Sequence, residues 1–306
     1  MAQLESWRAG AAKSVITDFV TRVTTVGGPD FLPVSERIAT FDNDGTLWCE
    51  QPLQVQFFFG RDRLKAMAEK DPSLAQRQPF KAFLDHDMAA IRDLGMRGFF
   101  EVAAATHAGL TEDEFEVVAR DWLLTSRHPS LGRPFTDLVY RPQIDLIAYL
   151  QANGFKVFIV SGGGIDLIRS FSEGVYGVAR DQVVGSSVKT SFELRDGVGV
   201  LVKRAEIDSF DDREAKPHNI GLHIGRRPVF AFGNSDGDLA MLRYTKTGRG
   251  PRLALLIHHD DPEREFAYDR DFRVSPLAEA LDKAKDYGIE VVSMKDDWAT
   301  VFDQPK

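Results

Sequence analysis

Four short apolar stretches, at 37–41, 156–160, 228–232 and 253–257, recur along this chain, and residues with helical spacing separate them. Short apolar runs alternating with amphipathic helices bury both of their faces in a parallel sheet covered by helices on two sides. An α/β, doubly wound parallel sheet is therefore expected. Its helices are expected at 142–153, 165–173, 218–224, 236–244 and 276–287, with Gly154 and Gly288 as stops for the first and last.

Two stretches break this rhythm. Between about 51 and 140 the strand signal vanishes and helical patterns run through 61–69, 80–94 and 112–125, interrupted at Asp71-Pro72 and His128-Pro129. This predicts an all-helical insertion at 51–139 within a core made of 1–50 and 140–306. At 188–203 the sequence alternates around Asp196-Gly197, which predicts a small antiparallel ribbon. Leu4, Trp7, Ala11, Val15, Ile16, Phe19, Val20 and Val23 fall on one helical face interrupted by charges, unlike an export signal.

The composition, 43% hydrophobic and 27% charged, is that of an ordinary globular protein. With 38 basic and 46 acidic side chains the formal charge is −8, and no Lys/Arg-rich run offers a footprint for nucleic acid. No apolar run approaches the roughly 18 residues of a membrane span. The one cysteine, Cys49, excludes an internal disulfide and a cysteine-built zinc site, and is expected as a small buried side chain. The expected setting is cytoplasmic, and the expected partner is a small molecule. Oligomeric state is not legible.

Ligands of an open parallel sheet bind beyond the carboxyl ends of its strands. The residues just past the four stretches are Asp42-Asn43-Asp44-Gly45-Thr46, Ser161-Gly162-Gly163-Gly164, Gly233-Asn234-Ser235-Asp236-Gly237-Asp238 and His258-His259-Asp260-Asp261. Two carboxylates two residues apart concentrate negative charge where a hard cation such as magnesium is needed. One can attack phosphorus while the other passes protons, roles that suit Asp42 and Asp44. Read alone, the pair also fits a structural turn or a calcium-type loop. Ser161 and its glycines offer an anion site, or a capped turn. Lys216 could balance phosphoryl charge, or lie in solvent. Asn234 and Asp238 could complete a metal shell, or close a capped turn.

Taken together and in order, Asp42-x-Asp44-Gly45-Thr46, Ser161, Lys216 and the loop 233–238 resemble the haloacid dehalogenase superfamily, and more closely its phosphoserine-phosphatase-like branch. The resemblance implies Asp42 as nucleophile and Asp44 as general acid and base. It implies Thr46, Ser161, Gly162 and Lys216 around the phosphoryl group. It implies Mg2+ on Asp42, the backbone carbonyl of Asp44, Asn234 and Asp238, and a helical cap over the substrate. Asn234 departs from the acidic residue of most relatives. Glu50 is expected as a solvated glutamate at a helix start, with a place near the substrate as the alternative. His258 and His259 could face the leaving group or a metal, Arg264 and Arg270 are expected as surface ion-pair partners, and Trp48 and Phe57 to Phe59 are expected to pack insertion to core.

The activity so implied is a magnesium-dependent phosphomonoester hydrolase working through an aspartyl-phosphate on a small metabolite. A phosphomutase shares the chemistry, and a catalytically silent metal-binding module is the non-enzyme reading. A dehalogenase needs no second Asp, and Asp44 argues against it.

Overall fold

A computed structural model describes residues 3–304, apart from the side chains of Met88, Arg92, Gly95, Met96 and Arg97. Its strands are β1 (Ile38–Phe41), β2 (Lys156–Gly164), β3 (Val183–Arg195), β4 (Val198–Ser209), β5 (Phe230–Gly233), β6 (Leu253–His258) and β7 (Glu290–Ser293). Its helices are α1 (Ala11–Thr24), α2 (Val55–Lys70), α3 (Phe80–Leu84), α4 (Met88–His107), α5 (Glu112–Thr125) and α6 (Arg141–Ala152), followed by α7 (Ile165–Arg169), α8 (Ser172–Tyr176), α9 (Ala215–Asn219), α10 (Leu239–Lys246), α11 (Glu279–Tyr287) and α12 (Met294–Asp297). The strands form one sheet of order β4-β3-β2-β1-β5-β6-β7, parallel throughout except for β3 with β4. No described helix is long and apolar enough to cross a membrane.

The doubly wound reading holds, and the side-chain alternation shows why. Phe230 and Phe232 of β5, with Leu253, Leu255 and Ile257 of β6, enter one core, while Ala231, Ala254 and Leu256 enter a second core on the opposite face. Both faces of each strand are apolar because helices cover both. After β1 the chain builds β2 and β3 on one side and then returns to place β5 on the other. The strand order reverses between β1 and β5, which opens a crevice at their carboxyl ends.

The ribbon is larger than expected. Val183 to Ser186 pair in parallel with β2, and the same strand continues into the hairpin with β4. Asp196 and Gly197 take positive φ values of 52° and 81° at its turn.

Helical positions follow the sequence best where a cap marks the start. Helix α5 opens on a reciprocal capping box, Thr111 with Glu114. The stretch 80–94 is two helices rather than one. Helix α3 stops at Leu84, and the Asp87 carboxylate then caps α4 by accepting from Ala89 and Ala90 N–H. Apolar spacing runs unbroken across this joint because Phe80, Phe83 and Leu84 before it and Ile91 after it all pack on the same small cluster with Leu64 and Leu74. The stretch 165–173 also divides, into α7 and α8, and 218–224 is split between the end of α9 and a π-helical turn at Ile220–Ile224. Strand β7, with two exposed residues among four, gave no apolar run to read.

Phe58 and Phe59 join the main core and so link the helical stretch to the body, whereas Phe57, expected to do the same, packs within the helical stretch in the small cluster. His107 at the end of α4 lies 4.5 Å from the Phe115 ring in a stacked pair, and its Nδ1 donates to the Ala103 carbonyl. Burial drives its pKa down to about 4. A histidine held neutral in the fold gives stability that is intact above its unfolded value near 6.5 and is lost as pH falls through the folded value. The expected loss between those limits is about 3 kcal/mol. Urea midpoints at pH 7 and pH 4.5 check this, with His107→Gln expected to flatten the dependence.

Candidate active site

Asp42 leaves the end of β1 with its N–H donating to Phe232 O at 2.9 Å, so the neighbouring strand β5 fixes where its side chain starts. Its Oδ1 accepts from Lys216 Nζ at 2.6 Å. The same ammonium donates to Asp238 Oδ1 at 2.6 Å and to Val160 O at 3.0 Å. Lys216 is buried, and three elements that are far apart in sequence converge on it. Asp44 turns its Oδ1 to Trp48 Nε1 at 2.8 Å, while Trp48 stacks on Phe171 at 4.6 Å. Trp48 therefore positions a carboxylate as well as packing the core.

The glycines after Ser161 have a steric reason. A Cβ on Gly163 would stand 3.1 Å from Asp44 Oδ2, 3.2 Å from Ser161 Oγ and 3.5 Å from Gln56 Oε1. Ser161, Asp44 and Gln56 thus face one small space. Gly162 gives its carbonyl to Ser186 Oγ at 2.7 Å. Gln56, in the first turn of α2, accepts from Gly164 N at 2.5 Å and joins insertion to core at this turn. Nothing in the local sequence singles out Gln56, because only the packing of α2 brings it there.

Gly45 is the tightest point of the site. Its φ is +75°, and a Cβ there would lie 2.1 Å from Asn234 Nδ2 and 2.4 Å from Glu50 Oε1. Gly45→Ala is expected to destabilise the fold by at least about 1–2 kcal/mol from the left-handed backbone alone. It is also expected to displace the Asn234 amide. Thermal melts and a crystal structure of the variant check both effects.

Several expectations change. Glu50 is fully buried rather than solvated, with Asn234 Nδ2 at 2.8 Å and Tyr268 OH at 3.0 Å donating to Oε1. Its spacing after Asp42 was the available signal. Thr46, expected at the phosphate, is buried behind the turn with its hydroxyl donating to Asn234 Oδ1 at 3.0 Å. Asp238, expected as a metal ligand, gives one oxygen to Lys216 and the other to the Asn234 and Ser235 N–H groups at 2.9 and 3.1 Å. Asp236 points away and caps α11, accepting from Ala278 and Ala280 N–H.

His259 is buried between Gly45 O, at 2.8 Å, and Glu265, and so lies behind the turn; His258 faces Asp269. Arg264 pairs with Asp261 and also donates to carbonyls of Met294 and Trp298, whereas Arg270 pairs with Asp282 at the surface. Cys49 is buried, and burial raises its thiol well above the usual range.

Asp42, Asp44, Glu50 and Asp238 bring four carboxyls together with one described cation, Lys216. Burial, then the charge of Asp238, push Asp42 well above the usual carboxylate range against the pull of Lys216. Burial raises Asp44 against its bond from Trp48, and burial with the Asp44 charge raises Glu50 well up. Burial opposes the charge on Lys216, but Asp238 and Asp42 outweigh it and hold the ammonium above its ordinary value. Such an excess of buried acid suits a hard divalent cation, and carboxylate, carbonyl and amide oxygens at neighbouring strand ends are suitable donors. Among the described residues no three His, Cys, Asp or Glu side chains form a metal cage. A cation here would rest on a mixed oxygen set and bound water.

A family model for HAD, the haloacid dehalogenase-like hydrolases, matches residues 39–243. The chain belongs to that family. Its fold is similar to that of a conserved functionally unknown protein from Anaerococcus prevotii DSM 20548, with 14% identity, a TM-score of 0.57 and 96% of each chain covered. A protein with unknown function from Bordetella pertussis Tohama I is similar at 15% identity and a TM-score of 0.53, over 84% of this chain and 98% of that one. A phosphoserine phosphohydrolase-like protein from Francisella tularensis subsp. tularensis SCHU S4 matches at 18% identity and a TM-score of 0.42, over 82% and 98%. Comparison with curated proteins finds no match.

Proposed function

We propose that this protein is a magnesium-dependent phosphomonoester hydrolase that works through an aspartyl-phosphate on Asp42 and acts on a small phosphorylated metabolite. The observation that carries the reading is the buried Asp42 carboxylate at a strand end, 2.6 Å from Lys216, with Asp44 and Ser161 facing the same glycine turn.

In the first step an Asp42 oxygen forms a bond to phosphorus as the bond to the leaving oxygen breaks, and Asp44 gives that oxygen a proton. The raised pKa of Asp44 suits an acid that must hold its proton until then. In the second step water attacks phosphorus, Asp44 takes the water's proton, and the bond to Asp42 breaks to release inorganic phosphate. Lys216, Ser161 and the N–H of Gly162 hold the phosphoryl oxygens, while the N–H groups of Gly163 and Gly164 stay on Ser161 Oγ and Gln56 Oε1. Magnesium, held by Asp42, the Asp44 carbonyl and Asn234, would neutralise phosphoryl charge against that of the carboxylates. We assign Asp238 to ordering Lys216 and the loop. The insertion at 51–139 serves as the cap, and the bond from Gly164 to Gln56 supports its closure over the site.

The test is release of phosphate from p-nitrophenyl phosphate with magnesium and with a chelator. Turnover that stops with the chelator is expected. Turnover unaffected by the chelator would remove the metal from the reading, and no turnover on any phosphomonoester would remove the activity.

A further inference from the structure

The amide of Asn234 does not set its own direction. An asparagine can turn either its oxygen or its NH2 toward a cation, and the oxygen is the face that ligates. Here Nδ2 donates to Glu50 Oε1 at 2.8 Å, while Oδ1 accepts from Thr46 Oγ1 at 3.0 Å and keeps a second lone pair.

Glu50 is itself held from behind. Tyr268 OH donates to its Oε1 at 3.0 Å, and Gln54 Nε2 donates to its Oε2 at 3.1 Å. Asn234, Tyr268 and Gln54 each donate to it here, so the ionised carboxylate acts as an acceptor toward all three. Tyr268 in turn stacks on His259, with ring centroids 4.3 Å apart, and His259 is tied to the Gly45 carbonyl. The missing side chain at Gly45 is what lets Asn234 and Glu50 meet, since a Cβ there would overlap both. An acceptor placed against Asn234 admits its NH2 face and excludes the inverted amide, whose oxygen would meet a carboxylate oxygen.

We propose that Glu50 is a positioning residue that fixes the Asn234 amide with its oxygen toward the metal, acting behind the ligand and not on the substrate. The proposal rests on the metal reading given above. Partners behind a ligand are typically worth about 10–100-fold in metal affinity.

The test is magnesium binding by titration calorimetry on the full chain, with thermal melts of each protein without metal. Glu50→Gln keeps the shape but brings an NH2 that can donate to Asn234, so the amide is free to invert. Its magnesium affinity is expected to fall about 10–100-fold while the metal-free melt stays close to wild type.

Adding Asn234→Asp to that variant should restore affinity. A carboxylate presents oxygen on both sides, and the new glutamine can donate to it. Tyr268→Phe removes one support of Glu50 from outside the site and should weaken binding in the same direction by less.

Glu50→Gln binding like wild type, or a double variant as weak as the single one, would overturn the orienting role. Should Glu50→Gln fail to fold, an unchanged affinity in Tyr268→Phe would overturn it instead. Wild type that binds no magnesium removes the metal reading and this role with it. Binding without turnover leaves this role standing and removes the hydrolase reading alone.

Discussion

Asp42→Asn should lower turnover of a phosphomonoester by at least about four orders of magnitude while leaving the fold intact. The amide keeps the shape of the carboxylate and still offers Lys216 an oxygen at the position now 2.6 Å from Nζ, but it has no anionic oxygen to attack phosphorus. Its effect on stability should run the other way from its effect on rate. Asp42 and Asp238 share one lysine in this buried centre, and burial with the Asp238 charge already holds Asp42 well above its usual pKa. Removing one negative charge relieves that repulsion, so unfolding in urea should need as much denaturant as wild type, or more. Phosphate release and urea melts measure the two properties separately. Turnover within tenfold of wild type would transfer the nucleophile's role to another residue.

Lys216→Met should destabilise the protein by about 3–5 kcal/mol near neutral pH, because it strips the cation from a buried ion cluster and leaves its partners in place. The ammonium serves three acceptors, Asp42, Asp238 and the Val160 carbonyl, and methionine fills the space without replacing any of these bonds. The deprived carboxylates should bind protons more readily in the fold than in the unfolded chain. The deficit is therefore largest at pH 7 and narrows as pH falls through the raised carboxylate range. Combining it with Asp42→Asn should recover part of the loss, and a double-mutant cycle in urea measures the coupling. A variant within about 1 kcal/mol of wild type at pH 7 would show that the cluster is solvated rather than buried.

The parallel sheet, its helices and the polar clusters past each strand were legible because they depend on local repetition. Apolar runs and helical spacing are properties of neighbouring residues, and a strand end can be located without knowing its partners. The placement of Asp42 and Asp44 past the first strand was legible for the same reason, since two residues of separation and one preceding strand position both. What sequence could not show is which polar groups are already taken. Thr46 and Asp238 carry suitable chemistry for phosphate and metal, yet the hydroxyl of the first is used by Asn234 and the carboxylate of the second by Lys216 and two N–H groups.

Glu50 went the opposite way. A charged residue ordinarily lies in water, and its burial requires donors from the nearby Gln54 and from the distant Asn234 and Tyr268. Lys216 and Gln56 are similar cases, since neither has a local pattern that reveals burial or contact.

The sequence by itself determined the order of elements, the crevice-facing strand ends and the pair of acids that leaves the first strand. The tertiary structure decided which acids meet a cation, which meet only neutral donors and which support a neighbour. Hydrogen-bond partnership and burial depend on groups brought together from distant positions, and the free energy of a charge depends on those groups more than on its own place in the chain.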